Sequence, residues 1–226
     1  MDAPPLQDSR PDEATVFVDL DRCLLIDDSV SGSLARLVAR GVARRRALVK
    51  GMWMYTGYRM NWLDAEGLVA AGVSDLAGVS EAIVEEEAEA YFQQAARYRY
   101  RRAMLAELDL HRAAGRPIWL LTGGLPYLAR RIAADLEIDG VAATNPDIRD
   151  GLFTGGLSER PCVGAGKIVH AQRVAQSLGR PLHRSWFYSD SYSDRPMLEV
   201  AEVPVAVNPD GKLRRHARRR GWRVVA

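Results

Sequence analysis

The sequence predicts an α/β fold: a Rossmann-like, three-layer core in which helices cover both faces of a parallel sheet, with a helical module inserted after the first strand. Three observations carry this. A short apolar run, Val16-Phe17-Val18, leads directly into two carboxylates, Asp19 and Asp21. From Pro117 onward, apolar runs of strand length alternate with helical patterns, as a parallel sheet requires. Between Asp21 and Pro117 lie 95 residues, whereas a plain β-α-β unit needs only about 30 in all.

Residues 1–13 read as a disordered tail, with Pro4, Pro5 and Pro11 among polar residues. The first strand ends at Asp19. The catalytic core is expected over 14–27 and 111–226, and the helical insert over 28–110. Within the insert, Ser33 to Lys50 carries Leu34, Leu37, Val38, Val42, Leu48 and Val49 among arginines. Ser80 to His111 opens Ser-Glu-Ala-Ile-Val-Glu and runs on through good helix formers. Between them, Met52 to Trp62 holds Trp53, Tyr55, Tyr58 and Trp62. The second strand, Pro117 to Leu121, is announced by Gly115 as a helix terminator with a proline just beyond. Thereafter Leu125–Leu136 reads as helix, Gly140–Thr144 as strand, 150–155 as hairpin and Gly166–Leu178 as helix. Ser185–Ser189 and Val203–Val207 read as strands around a helix at Arg195–Ala201. A helix from Leu213 to Arg220 and a short strand from Arg223 to Val225 close the chain.

The chemistry collects where strands end. In an extended chain residues i and i+2 point to one side, so Asp19 and Asp21 sit together at the carboxyl end of a strand, where open α/β sheets bind ligands. Taken alone, the pair reads either as a cation site or as turn and cap aspartates. Leu121-Thr122-Gly123-Gly124 ahead of a helix reads as an anion nest, or as a turn that needs glycine. Gly164-Ala165-Gly166-Lys167 is not a P-loop, because Pro161 stands where the first glycine belongs and Ile168 follows the lysine. It leaves one lysine at a helix start. Asp190 and Asp194 follow the fourth strand, and Asp194 reads equally as a cap for the next helix. Together these are two pairs of acids, a hydroxyl with an anion nest, and a lysine. That is equipment for phosphoryl transfer to a carboxylate.

Composition narrows the class. The 226 residues are 47% hydrophobic and 27% charged, with a formal net charge of +2. That charge is too small to demand a polyanionic partner, so the basic stretch Arg214 to Arg220 is expected to be a solvated helix rather than a nucleic-acid surface. Two cysteines, Cys23 and Cys162, argue against a disulfide framework. No apolar run reaches membrane-spanning length. A cytoplasmic protein without stable membrane insertion is expected. The four histidines show no metal-ligand spacing.

The order of these motifs resembles the haloacid dehalogenase superfamily, and within it the IB branch containing the phosphoserine phosphatases. The likeness runs through Asp19 and Asp21, Asp-Gly-x-Phe-Thr-Gly at 150–155, Gly166-Lys167, Tyr-Ser-Asp-Ser before Asp194, and Ala-Val-Asn-Pro-Asp at 206–210. The resemblance implies a C1-type helical cap where the insert falls, and a phosphatase acting on a small phosphate ester. It implies Asp19 as the nucleophile that becomes aspartyl-phosphate and Asp21 as general acid and base. Thr122, Gly123 and Gly124 then hold the phosphoryl group, with Lys167 neutralising it. Mg²⁺ falls to Asp19, the Asp21 carbonyl and Asp190, with Asp194 steadying the site.

Two departures stand out. Cys23 occupies a position where the family usually has threonine, which suggested sensitivity to oxidation. Asp28 stands where phosphoserine phosphatases place a glutamate for the substrate amine. Tyr55, Tyr58 and Arg59 are candidates for a substrate rim suited to an ester bulkier than phosphoserine, against a plainer role in packing cap helices. A phosphotransferase of the same superfamily and a catalytically weak phospho-ligand binder are the alternative readings. A dehalogenase is disfavoured because it lacks the second aspartate.

Overall fold

The computed structural model describes residues 13–41 and 65–226. The strand β1 (Thr15–Val18) is buried along its whole length. Val16 and Val18 join the apolar cluster on one side of the sheet and Phe17 the cluster on the other. That two-sided burial is why the run shows no polar alternation.

Five more strands complete the sheet: β2 (Ile118–Thr122), β3 (Gly140–Ala143), β6 (Ser185–Ser189), β7 (Val203–Val207) and β8 (Arg223–Val225). The order is β3-β2-β1-β6-β7-β8, and every neighbouring pair is parallel. The chain builds outward from β1 through β2 and β3, then crosses to β6 and builds the other way. Strand order therefore reverses between β1 and β6, and the crevice beyond their carboxyl ends is the natural ligand position. Asp19 and Asp190 are the first residues past those two ends.

Helices α6 (Gly166–Ser177), α7 (Arg195–Val200) and α8 (Gly211–Arg220) cover the Phe17 face, burying Ala171, Met197, Leu198 and Leu213. On the Val16 face lie α4 (Arg102–Ala113) and α5 (Pro126–Asp135), through Met104, Leu108, Leu128 and Ile132. This is the three-layer α/β architecture expected from the alternation. Among the described residues no helix is long and apolar enough to cross a membrane.

Between β1 and β2 the described part of the insert forms α1 (Ser29–Ala39), α2 (Ala65–Ser74) and α3 (Glu81–Gln94). Leu37, Leu76, Val84, Ala88 and Phe92 from this region belong to the same buried cluster as Val16 and Val18. The insert also meets the two-stranded hairpin β4 (Pro146–Arg149) and β5 (Leu152–Leu157). Asp150 and Gly151 both have positive φ, 52° and 73°, as a tight two-residue hairpin turn requires. Gly78 N–H donates to the Phe153 carbonyl (2.8 Å), Phe153 N–H to that of Val79 (2.9 Å), and Glu81 N–H to that of Gly151 (2.9 Å). Side chains tie the insert to other parts of the core. The Tyr127 hydroxyl donates to Glu81 (2.8 Å), Arg160 pairs with Glu66, and Arg131 with Glu89.

The insert's helical runs are shorter than its sequence pattern suggests. The run from Ser80 to His111 is two helices, broken from Ala95 to Arg101. There the chain returns from the insert and pairs with the outgoing segment. Ile26 N–H donates to the Arg99 carbonyl (2.9 Å) and Arg101 N–H to that of Leu24 (2.8 Å). No glycine or proline marks the break, so tertiary pairing overrides local propensity. The helix expected to reach Lys50 ends at Ala39, where Gly41 takes a left-handed φ of 76° and its N–H returns to the Val38 carbonyl (3.0 Å). Its expected continuation lies in 42–64, outside the described residues. The expected boundary at residue 110 falls within α4, a continuous helix that packs on β2 and on the turn after β1.

A polar network is buried beneath the sheet. His111 Nε2 lies 2.7 Å from the Tyr188 hydroxyl, which donates to Glu107 (2.9 Å). Arg223 pairs with the same carboxylate, and Arg116 reaches His111 Nδ1 at 3.1 Å. With the hydroxyl donating onward, the neutral imidazole must carry its proton on Nε2.

Candidate active site

Asp19 leaves β1 with an extended backbone, its N–H still bonded to the Tyr188 carbonyl of β6 (2.9 Å). A wide turn follows, closed by Leu25 N–H on the Leu20 carbonyl (2.9 Å). Lys167, in the first turn of α6, is not a surface lysine: it is 2% exposed. Its Nζ donates to Asp19 Oδ1 at 2.7 Å and to Asp194 Oδ2 at 2.6 Å. Burial works against that ammonium, but the two carboxylates outweigh it and hold its pKa well above the usual value. Asp194 makes no side-chain cap to α7; its Oδ2 also accepts from the Ser189 hydroxyl (2.7 Å).

Burial holds three of the acids above the usual carboxylate range. Burial pushes Asp19 up to about 6, against the pull of Lys167. Burial, then the charge of Asp28, pushes Asp21 up to about 7, although the Ser29 N–H donates to its Oδ1 at 2.6 Å. Asp190 is pushed up to about 8, first by burial and then by the charge of Asp19. Its Oδ2 accepts from Arg22 Nε at 3.1 Å.

These residues fit a small hard cation. The donors are carboxylate oxygens flanking the strand-order reversal; burial above all holds their pKa values up, and a cation would offset that cost of carrying charge. Among the described residues no three acid, histidine or cysteine side chains close a metal cage. The Asp21 side chain turns to Ser29 and that of Asp194 to Lys167.

On the other flank, Thr122 ends β2, fully buried, and its Oγ1 accepts from Gly124 N–H (3.1 Å). Gly123 is required by close approach: a Cβ there would come within 2.3 Å of Val163 Cγ1. Gly166, just before the lysine, is held as tightly, since its Cβ would sit 2.1 Å from the Pro161 carbonyl oxygen. The first contact sets the lysine loop against the Thr122 loop, and the second folds the lysine loop tightly on itself.

Asp19, Asp190, Asp194 and Lys167 are thus brought together, with Asp21 and Asp28 beside α1. Tyr55, Tyr58 and Arg59 lie outside the described residues. Sequence reasoning missed Arg22 and Ser189 as partners of Asp190 and Asp194. It also missed Asp210, whose Oδ1 caps α8 at Lys212 and Leu213 N–H (both 2.8 Å) while its Oδ2 accepts from Tyr192 N–H (2.8 Å). Asp210 N–H donates to the Asp190 carbonyl (2.9 Å). The Asn-Pro-Asp sequence ahead of a helix was the available signal for that cap. The expectation for Cys23 is reversed. It is fully buried, and burial followed by the charges of Asp19 and Asp190 pushes its thiol pKa well up, which makes it inert.

A model of the haloacid dehalogenase-like hydrolase family matches residues 16–199. A hydrolase of Mycobacterium leprae is 40% identical over 116 residues, a match covering 51% of this chain and 39% of the relative. The phosphoserine phosphatase SerB1 of Mycobacterium tuberculosis is 32% identical over 93% of this chain and 70% of its own length. The chain thus spans well under half of the first relative and about two thirds of the second. A crystal structure of a Bordetella pertussis protein of unknown function superimposes with a TM-score of 0.84 at 29% identity, over 95% of this chain and 98% of that one. Since the family match begins inside β1 and runs into α7, taking in Asp19, Asp21, Thr122, Lys167, Asp190 and Asp194, the chain belongs to the haloacid dehalogenase-like hydrolases, on their phosphoserine phosphatase-like side.

Proposed function

We propose that the chain is a Mg²⁺-dependent phosphatase that hydrolyses a phosphate monoester through an aspartyl-phosphate on Asp19. The observation that carries this is Lys167, a buried ammonium shared by Asp19 and Asp194 beside the strand-order reversal. A phosphate dianion about 4 Å from a bare aspartate is repelled by roughly 8 kcal/mol at an effective dielectric of 20. A carboxylate can serve as nucleophile only where that charge is neutralised, and this one has its cation built in.

Asp19, Asp190 and the Asp21 carbonyl would hold Mg²⁺, with Asp194 outside the ligand shell. When bound, the ion would supply further neutralisation of the phosphoryl charge. The chain's own groups do the rest. Thr122 and the backbone of Gly123 and Gly124 receive the phosphoryl oxygens. Asp21, whose pKa of about 7 allows both protonation states near neutrality, gives a proton to the leaving alkoxide and then takes one from water. Covalent capture on Asp19 splits the displacement into two easier steps.

The insert, 28–110, acts as the cap over this crevice. The relative named as a phosphoserine phosphatase makes phosphoserine one candidate, with Asp28 nearest the expected amine position. An ester bulkier than phosphoserine is the other. The test is hydrolysis of an aryl phosphate and of a panel of phosphorylated metabolites, with Mg²⁺ and with chelator. Asp19→Asn should retain the fold and lose turnover to background. Wild-type turnover in that variant, or full activity in chelator, would overturn the proposal.

A further inference from the structure

Arg22 lies in the turn between Asp21 and Cys23 with a left-handed backbone, φ 58°, a conformation native to glycine and costly for other residues. Three contacts hold it there. Its N–H donates to the Asp27 carbonyl (3.2 Å), and its own carbonyl accepts from Arg101 Nη2 (3.0 Å). Its guanidinium Nε reaches Asp190 Oδ2 (3.1 Å), 168 positions along the chain. Lys167 hydrogen-bonds Asp19 and Asp194, while the ion pair of Asp190 is with Arg22. The site therefore divides its acids between two resident cations.

We propose that Arg22 is the built-in counter-ion of Asp190, against which an entering divalent cation must work, so that Arg22 sets how weakly the site takes its metal. This rests on the metal site read above at Asp19 and Asp190. Two effects oppose each other. A hydrogen bond that orients a ligating carboxylate raises metal affinity about ten- to hundredfold. A guanidinium and a dication on the two oxygens of one carboxylate, about 5 Å apart, repel by several powers of ten in affinity at an effective dielectric near 20. Solvent reaches the Arg22 side chain, which is 31% exposed, and screens part of that repulsion. The balance still lies with repulsion. In the metal-free protein the same guanidinium stabilises the fold by neutralising a buried acid.

The experiment is calorimetric titration of the full chain with Mg²⁺ alone, paired with melting curves with and without the ion. Arg22→Gln should bind Mg²⁺ at least about tenfold more tightly, melt lower without metal, and gain more from adding it. Arg22→Lys keeps the charge and should stay near wild type. Arg22→Gly removes the charge from a residue that prefers this backbone, and should tighten binding even if the glutamine variant folds poorly. Equal or weaker Mg²⁺ binding in the glutamine and glycine variants, or a lysine variant that behaves like them, overturns the proposal. Asp190→Asn separates the two levels. If it loses Mg²⁺ binding while the Arg22 variants are unchanged, only the role of Arg22 falls; if it binds as before, the metal site itself is misplaced.

Discussion

Asp21 and Ser29 are joined by a 2.6 Å hydrogen bond, from the backbone N–H of Ser29 to Asp21 Oδ1. The carboxylate proposed to move the proton is thereby tied to the first residue of α1, the first helix of the insert. Asn in its place can still accept that bond but cannot exchange a proton. Asp21→Asn should therefore melt near wild type and lose about 10² to 10⁴ in rate. In single-turnover phosphorylation the loss should be larger for alkyl than for aryl esters, whose leaving group needs little protonation. Equal losses would remove the acid role.

Lys167 is, among the described residues, the cation that hydrogen-bonds both Asp19 and Asp194. Lys167→Met leaves two buried acids without it. Breaking a buried pair in this way costs about 3–5 kcal/mol, which lowers the melting temperature by roughly 10 °C in a chain of this size. Phosphatase turnover should disappear with it. A melting temperature within about a degree of wild type would show that the lysine is not the counter-ion.

His111 makes stability depend on pH in a predictable direction. Burial lowers its pKa from 6.5 to about 4, and the Arg223 charge adds to that, although Glu107 pulls the other way. Tyr188, Trp186 and Arg116 complete its surroundings. A depressed histidine pKa means that the unfolded chain takes up the proton first as pH falls. The contribution is whole above about 6.5, declines as pH drops, and is gone below about 4; it amounts to ~3 kcal/mol. Melting curves from pH 7 to 4.5 should show a steeper loss for wild type than for His111→Gln. The difference between the two cancels the titration of the site carboxylates. Parallel curves would contradict the prediction.

Asp210 serves α8 and the loop after β6 with one side chain. Asp210→Ala should cost about 1 kcal/mol as a lost helix cap. The lost side-chain bonds also fix the segment whose backbone N–H holds the Asp190 carbonyl, so the loosened variant should need more Mg²⁺ for half-maximal rate. Asp210→Asn, which keeps the acceptor, should lie between. A metal titration identical to wild type in the alanine variant would confine Asp210 to capping.

What was legible in the sequence is what local pattern controls. Val16-Phe17-Val18 had to be buried on two sides, and the acids and glycines at strand ends fell where a parallel sheet places its ligands. Asp150-Gly151 spelled out its turn through two positive φ values. What was not legible depends on partners distant in the chain. The break before Arg101 exists because two connecting segments pair with each other, and nothing between Ala95 and Arg101 signals it. Arg22 gave no sign of its reach to Asp190, since an arginine in a turn is ordinarily solvated. Nothing around Lys167 in the sequence signals its two distant carboxylate partners, and His111 carries no spacing that points to Tyr188.

The pairing of residues 78–81 with the hairpin has a consequence for solubility. A two-stranded hairpin is marginal by itself, and the outer edge of β5 would present unpaired backbone groups to any other chain. In this molecule Phe153 spends both its N–H and its carbonyl on the insert. The insert therefore acts as an edge guard, besides its proposed place over the crevice. A chain with residues 28–110 deleted would be less an uncapped enzyme than a sticky one, with an open strand edge and one face of its apolar cluster bared to self-association.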